Sequence, residues 1–257
     1  YLDKNQTKII KDAATNANFH VRSCFNKEQF VLHILSEDNS ETPNVVLIGI
    51  GSNSFSIYLY GNDGGLFDII SSYNNIKFGG DSFTGKIVDY FAGNFNKKFN
   101  CNINKSHESM MILKEECENI KIRLSSEENV TISCKSIFEG HDLIDTISRS
   151  IFENICSDLF VFIKIQLDNF LKNANFQKND VKKVIIFGGS SKIPAFQQTI
   201  KNYFDNLDLS FHENSDKLAI FGVSLFAHMY KKTSVLTDIL LLDRLKLSFG
   251  IETADKT

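Results

Sequence analysis

Val184, Ile185, Ile186 and Phe187 run without a polar break into Gly188 and Gly189, and Ser190, Ser191, Lys192, Ile193 and Pro194 follow. That is the order strand, glycine turn, helix start: unbroken apolarity predicts a strand buried on both faces, and Pro is favoured at a first helical position. Such a strand belongs to an α/β architecture with a helix-covered parallel sheet, whose ligands sit at the carboxyl ends of the strands. Glycines there admit a ligand to the backbone, and the N–H groups of the following helix attract anionic or polar groups. The segment 181–194 is therefore a candidate nucleotide site. Paired glycines also serve a plain strand-to-helix turn, and spacing alone does not separate the two.

The remaining composition is that of a globular protein. A chain of 257 residues, 42% hydrophobic and 12% aromatic, can bury a substantial core as one large domain or two lobes. A net charge of −3 without blocks of like charge leaves no footprint for nucleic acid or a membrane surface. Cys24, Cys101, Cys117, Cys134 and Cys156 form no CxxC pair, and the histidines show no ligand spacing, so reduced and mostly buried thiols are expected, with no metal site. No apolar run approaches the roughly 18 residues of a membrane span, and the N-terminus lacks a signal-peptide pattern. A cytoplasmic protein is the expectation, and Tyr1 reads as a boundary within a longer chain. The N-x-S/T triplets at Asn5, Asn104 and Asn129 carry little weight in an Asn-rich sequence.

Periodicity places the other elements. Residues 3–18 read as a helix, 21–25 as a short strand, and a helix begins near Asn26. Residues 45–50 and 55–60 read as a strand pair joined by Gly51, Ser52, Asn53 and Ser54, and 67–73 as a further strand after the turn at 62–65. Phe83, Ile87, Phe91, Phe95 and Phe99 form an apolar stripe. Met110, Leu113, Cys117, Ile120 and Leu124 form a second, which puts Glu118, Lys121 and Ser125 together on the adjacent face, lining a cleft or simply solvated. A hairpin over 130–147 turns at Glu139-Gly140. Long helices are expected at 149–173 and at 216–230, the latter apolar nearly all round and hence buried. The aliphatic run in TDILLLD at 237–243 must dock somewhere.

In order along the chain, FGGDSF resembles LGGEDF, CENIKIRLSS resembles CERAKRTLSS, GGSSKIP resembles GGSTRIP and NSDKLAIFG resembles NPDEAVAYG. DILLLD and LSFGIET resemble DLLLLD and LSLGIET, and the first 26 residues are similar to a helix that opens the same region. These are motifs of the 70-kDa heat-shock (DnaK-type) chaperone family. The resemblance implies lobe II of an actin-like ATPase (ribonuclease H-like) fold: subdomain IIA at 1–78 and 157–235, a IIB insertion at 79–156, a linker at 236–243 and the start of a substrate-binding domain at 244–257.

The resemblance assigns the adenosine side of an ATP or ADP site to Glu118, Lys121, Ser125, Gly188, Gly189, Ser190, Ile193 and Asp216. Ile122 and Lys192 replace two arginines that sandwich the adenine, and an aliphatic chain and a lysine stem cover a base less well than guanidinium planes. The phosphate side departs from the family. Its DLGGGTFD reads Gly49 to Ser56 here, so both aspartates are gone, at Gly49 and Ser56, and the phosphate loop is reduced to Gly51, Ser52, Asn53 and Ser54. Lys27 stands in place of a catalytic glutamate, and Ser23 in place of an arginine in the J-protein contact region. Three acids lost from one reaction centre put Mg²⁺ in doubt and remove the catalytic set.

The expected function is a nucleotide-binding, non-hydrolysing co-chaperone, resembling the Ssz type or the heat-shock-110 branch. An active chaperone ATPase and an interaction scaffold that binds no nucleotide are the alternatives. Implied partners are a J-domain protein, a nucleotide-exchange factor or ribosome-associated co-chaperone, and unfolded polypeptide. The linker residues Asp238, Ile239, Leu240, Leu241, Leu242 and Asp243 are expected to dock on IIA.

Overall fold

The structure, a computed structural model, describes residues 4–21, 44–63, 66–205, 207, 209–211, 215–229 and 241–242. Apart from Val21, the strand and helix expected from 21 to about 35, with Ser23 and Lys27, lie outside them, as do Asp238, Ile239, Leu240, Asp243 and all residues beyond.

After helix α1 (Lys4–Asn16) come three strands, β1 (Asn44–Ile50), β2 (Phe55–Asp63) and β3 (Leu66–Asn75). Helices α2 (Gly80–Phe99) and α3 (His107–Arg123) and the hairpin β4 (Asn129–Phe138) and β5 (His141–Ser148) follow. Then come α4 (Arg149–Ile155), α5 (Ser157–Asn173), β6 (Lys183–Phe187), α6 (Pro194–Tyr203), β7 (Leu209–Phe211), α7 (Leu218–Met229) and β8 (Leu241–Leu242). The main sheet has the order β7-β6-β1-β2-β3-β8. Pairs β7–β6, β6–β1 and β3–β8 are parallel, while β1–β2 and β2–β3 are antiparallel.

The unbroken apolar runs of β1 and β6 are buried on both sides, as continuous hydrophobicity requires. Val46, Ile48, Val184 and Ile186 enter a large cluster with residues of α2, α3, α5 and α6, whereas Val45, Leu47, Ile185 and Phe187 enter a smaller one that Leu218 of α7 joins. The turn at Glu139-Gly140 is a two-residue connection with positive φ at both positions (49° and 76°), the geometry whose twist matches a hairpin.

Two expectations are corrected. The helix over 149–173 breaks at the buried Cys156, whose φ of −98° and ψ of 5° end α4 and start α5. No Pro or Gly causes this; the redirected chain brings both Phe152 and Phe160 onto Phe83. Helix α7 is not buried all round: Ile220, Phe221 and Val223 are exposed, with Leu218 turned inward. All-round apolarity carries no period and so does not say which side is covered.

The described cysteines are free, and burial pushes the thiols of Cys117 and Cys156 up to about 12. Because the thiolate is the reactive form, both are expected to resist iodoacetamide in native protein at pH 8 and to react only after denaturation. Mass-spectrometric mapping checks this; rapid native labelling of either residue contradicts its placement.

Candidate functional site

The carboxyl ends of the parallel neighbours β1 and β6 lie side by side, and a cleft of about 270 Å³ opens there. Ser52, Glu118, Lys121, Ile122, Ser125, Gly189, Ser190, Lys192, Ile193 and Asp216 line it. Four separate segments thus converge: the β1–β2 loop, α3 with the residues just after it, the 3-10 turn Gly189–Lys192 with Ile193, and the entry to α7. Gly188 lies one residue outside the lining.

Each wall has a local cause. Gly188 ends β6 with φ 99°, a conformation rare for residues with a side chain, and a Cβ there would overlap the Ile50 backbone. Ser191 Oγ donates to Gly188 O (2.7 Å) and lies in hydrogen-bond contact with Ser215 Oγ (2.9 Å), and Gly188 N donates to Ser215 O (2.8 Å), which pins the turn to the residue before Asp216. The helix proper therefore starts at Pro194, after this 3-10 turn. The β1–β2 loop closes with Gly51 N donating to Ser54 O (2.9 Å), and its Gly51 and Ser52 carbonyls accept from Gly80 N and Asp81 N (both 2.8 Å) at the start of α2.

The expected stripe of α3 is buried through Leu113, Cys117, Ile120 and Leu124, and the adjacent face is not merely solvated, because Lys121 is 5% exposed. Its Nζ donates to Gly80 O (3.1 Å), Thr84 Oγ1 (3.0 Å) and Glu118 Oε2 (2.7 Å), using all three ammonium donors. Thr84 Oγ1 donates in turn to Glu118 Oε2 (2.5 Å). Lys121 is thus a positioning residue, holding the more exposed Glu118 carboxylate at the cleft. Thr84 escaped the sequence reading because it follows Phe83 on a helix whose pattern reports only packing.

At the rim Lys192 Nζ donates to Asp216 Oδ1 (2.9 Å), so two anticipated contacts engage each other. That bond, first of all, holds the Asp216 carboxyl below the usual range. Ser52 Oγ donates to Asp81 Oδ1 (2.6 Å) and Lys114 Nζ to Asp81 Oδ2 (3.1 Å), which lower the Asp81 carboxyl in the same way, the serine most. Depressed folded-state values mean that both contacts are at full strength above the ordinary carboxylate pKa and are lost only as pH falls through the lower one.

On the other side of the loop, Gly49 pairs across the sheet with Phe187 and with Ser56. Ser56 is 1% exposed and its Oγ has no hydrogen-bond partner among the described residues. Among the described residues, no three His, Cys, Asp or Glu gather in a way that could hold a metal ion. The cleft therefore offers hydroxyls, a positioned carboxylate and the apolar surfaces of Ile122 and Ile193. This suits a flat apolar ring bearing hydroxyl donors.

The family model described as Hsp70 protein matches residues 1–257. The heat shock cognate 70 kDa protein 3 of Dictyostelium discoideum is 27% identical over 259 residues, covering 98% of this chain and 41% of that protein. The chain thus spans about two fifths of that relative's length.

Proposed function

The chain belongs to the Hsp70 family, and on that premise we propose that it is the lobe of a divergent chaperone that binds ATP or ADP without effective hydrolysis and acts as a co-chaperone in protein folding. Its fold is the α/β actin-like ATPase fold of that family. The observation that carries the reading is the contrast across the β1–β2 loop. On one side Glu118, Ser125, Ser190 and Ile193 line one cleft, with Glu118 fixed by Lys121 and Thr84. On the other side Gly49 and Ser56 present no carboxylate.

The reading divides the chain into IIA at 1–78 and 157–235, IIB at 79–156, and a linker at 236–243. It is supported by β8, in which Leu241 and Leu242 pair in parallel with Phe67 and Asp68 and extend the sheet that carries the cleft. Nucleotide occupancy then biases the linker, and through it a substrate domain, without bond cleavage. A J-domain protein, an exchange factor or ribosome-associated co-chaperone, and unfolded polypeptide are its partners, in the cytoplasm. Among the described residues no helix is long and apolar enough to cross a membrane.

Calorimetric titration of the full-length protein with ATP and ADP tests the binding half. Saturable binding that is lost in Glu118→Ala is expected. Absence of saturable binding makes the chain an interaction scaffold instead.

A further inference from the structure

Phe187, Gly49 and Ser56 stand abreast on β6, β1 and β2, so their Cα–Cβ directions share one face of the sheet. A Cβ on Gly49 would lie 2.6 Å from Phe187 Cε1 and 2.7 Å from Ser56 Oγ, closer than real contacts allow. The Phe187 ring, 3% exposed, thus fills the volume over Gly49, beside the buried Ser56 hydroxyl, which has no partner among the described residues. Phe187 belongs to the apolar cluster of Val45, Leu47, Tyr58 and Leu218 and is held there by packing.

A cation such as Mg²⁺ takes hard oxygen ligands, usually carboxylates among them, in near-ideal octahedral geometry. This row supplies an aromatic ring, a bare Cα and one buried hydroxyl. The carboxylate that does reach the loop, Asp81, has one oxygen engaged by Ser52 and the other by Lys114. The Mg²⁺ that the family implies does not fit the described residues. We infer that this lobe holds adenine nucleotide without a divalent cation, with Phe187 as the plug that occupies the cation's side of the cleft. The inference rests on the nucleotide reading above.

Isothermal titration of the full-length protein with ATP, in excess Mg²⁺ and again in excess EDTA, is expected to give dissociation constants that agree within about threefold. Binding weakened about tenfold or more by EDTA overturns the inference and leaves the nucleotide reading standing. No saturable heat in either buffer overturns the nucleotide reading and the inference with it. The plug itself is tested by a double-mutant cycle. Gly49→Asp is expected to lower Tm, and adding Phe187→Ala to raise it again, because the lost ring makes room for the carboxylate. Losses in Tm that simply add overturn the assignment of Phe187.

Discussion

Gly188→Ala is expected to cost about 3 kcal/mol or more and to lower Tm by roughly 6–12 °C. The residue sits at φ 99° and ψ 154°, a region essentially reserved for glycine, where strain alone is on the order of 1–3 kcal/mol. A Cβ would also overlap the carbonyl of Ile50, and backbone in the middle of a sheet yields far less readily than a side chain. Both strands that position the cleft would be displaced. Gly85→Ala is the internal control: it lies inside α2 with nothing within 4 Å of the added carbon, and is expected to stabilise by about 0.5–1 kcal/mol. Equal melting temperatures for the two variants would contradict the geometry of the turn after β6.

Lys121→Met separates positioning from packing. The methionine keeps most of the aliphatic stem and removes three donated hydrogen bonds. Since Glu118 is 42% exposed on its side chain, water takes over part of the lost pairing, and the stability loss is expected to be about 1–3 kcal/mol in urea melts. The larger effect is on binding. With its lysine gone, Glu118 keeps only Thr84 Oγ1 as a partner among the described residues and is held less firmly at the cleft. ATP affinity is expected to fall about tenfold or more, which is 1.4 kcal/mol or more. Unchanged affinity in a folded variant would mean that Glu118 does not meet the ligand in the orientation that Lys121 imposes.

How far these features could be read in advance depended on whether they are local. The double-sided burial of β1 and β6 is written in their unbroken apolar runs, and the 3-4-3-4 stripe of α3 necessarily sets Glu118, Lys121 and Ser125 on one neighbouring face. The turn chemistry of Glu139-Gly140 is equally local. Register between strands distant in the chain is not local, so the sequence shows Phe187 and Gly49 separately and not their meeting. Lys121 illustrates the same limit. Its place on the helix face followed from periodicity, but its burial depends on Gly80 and Thr84 of another helix. The exposed side of α7 and the break at Cys156 were missed because both answer to packing partners rather than to any periodic or Pro/Gly signal.

Nucleotide held without hydrolysis is the central claim, and single-turnover hydrolysis by the full-length protein, saturated on radiolabelled ATP, tests it most directly. The account predicts that ATP stays bound and intact over the time in which bound label is recovered, with no phosphate released above the buffer control. Single-exponential phosphate release from the bound pool, slowed sharply by substituting a phosphate-contact residue of the companion lobe, would contradict it.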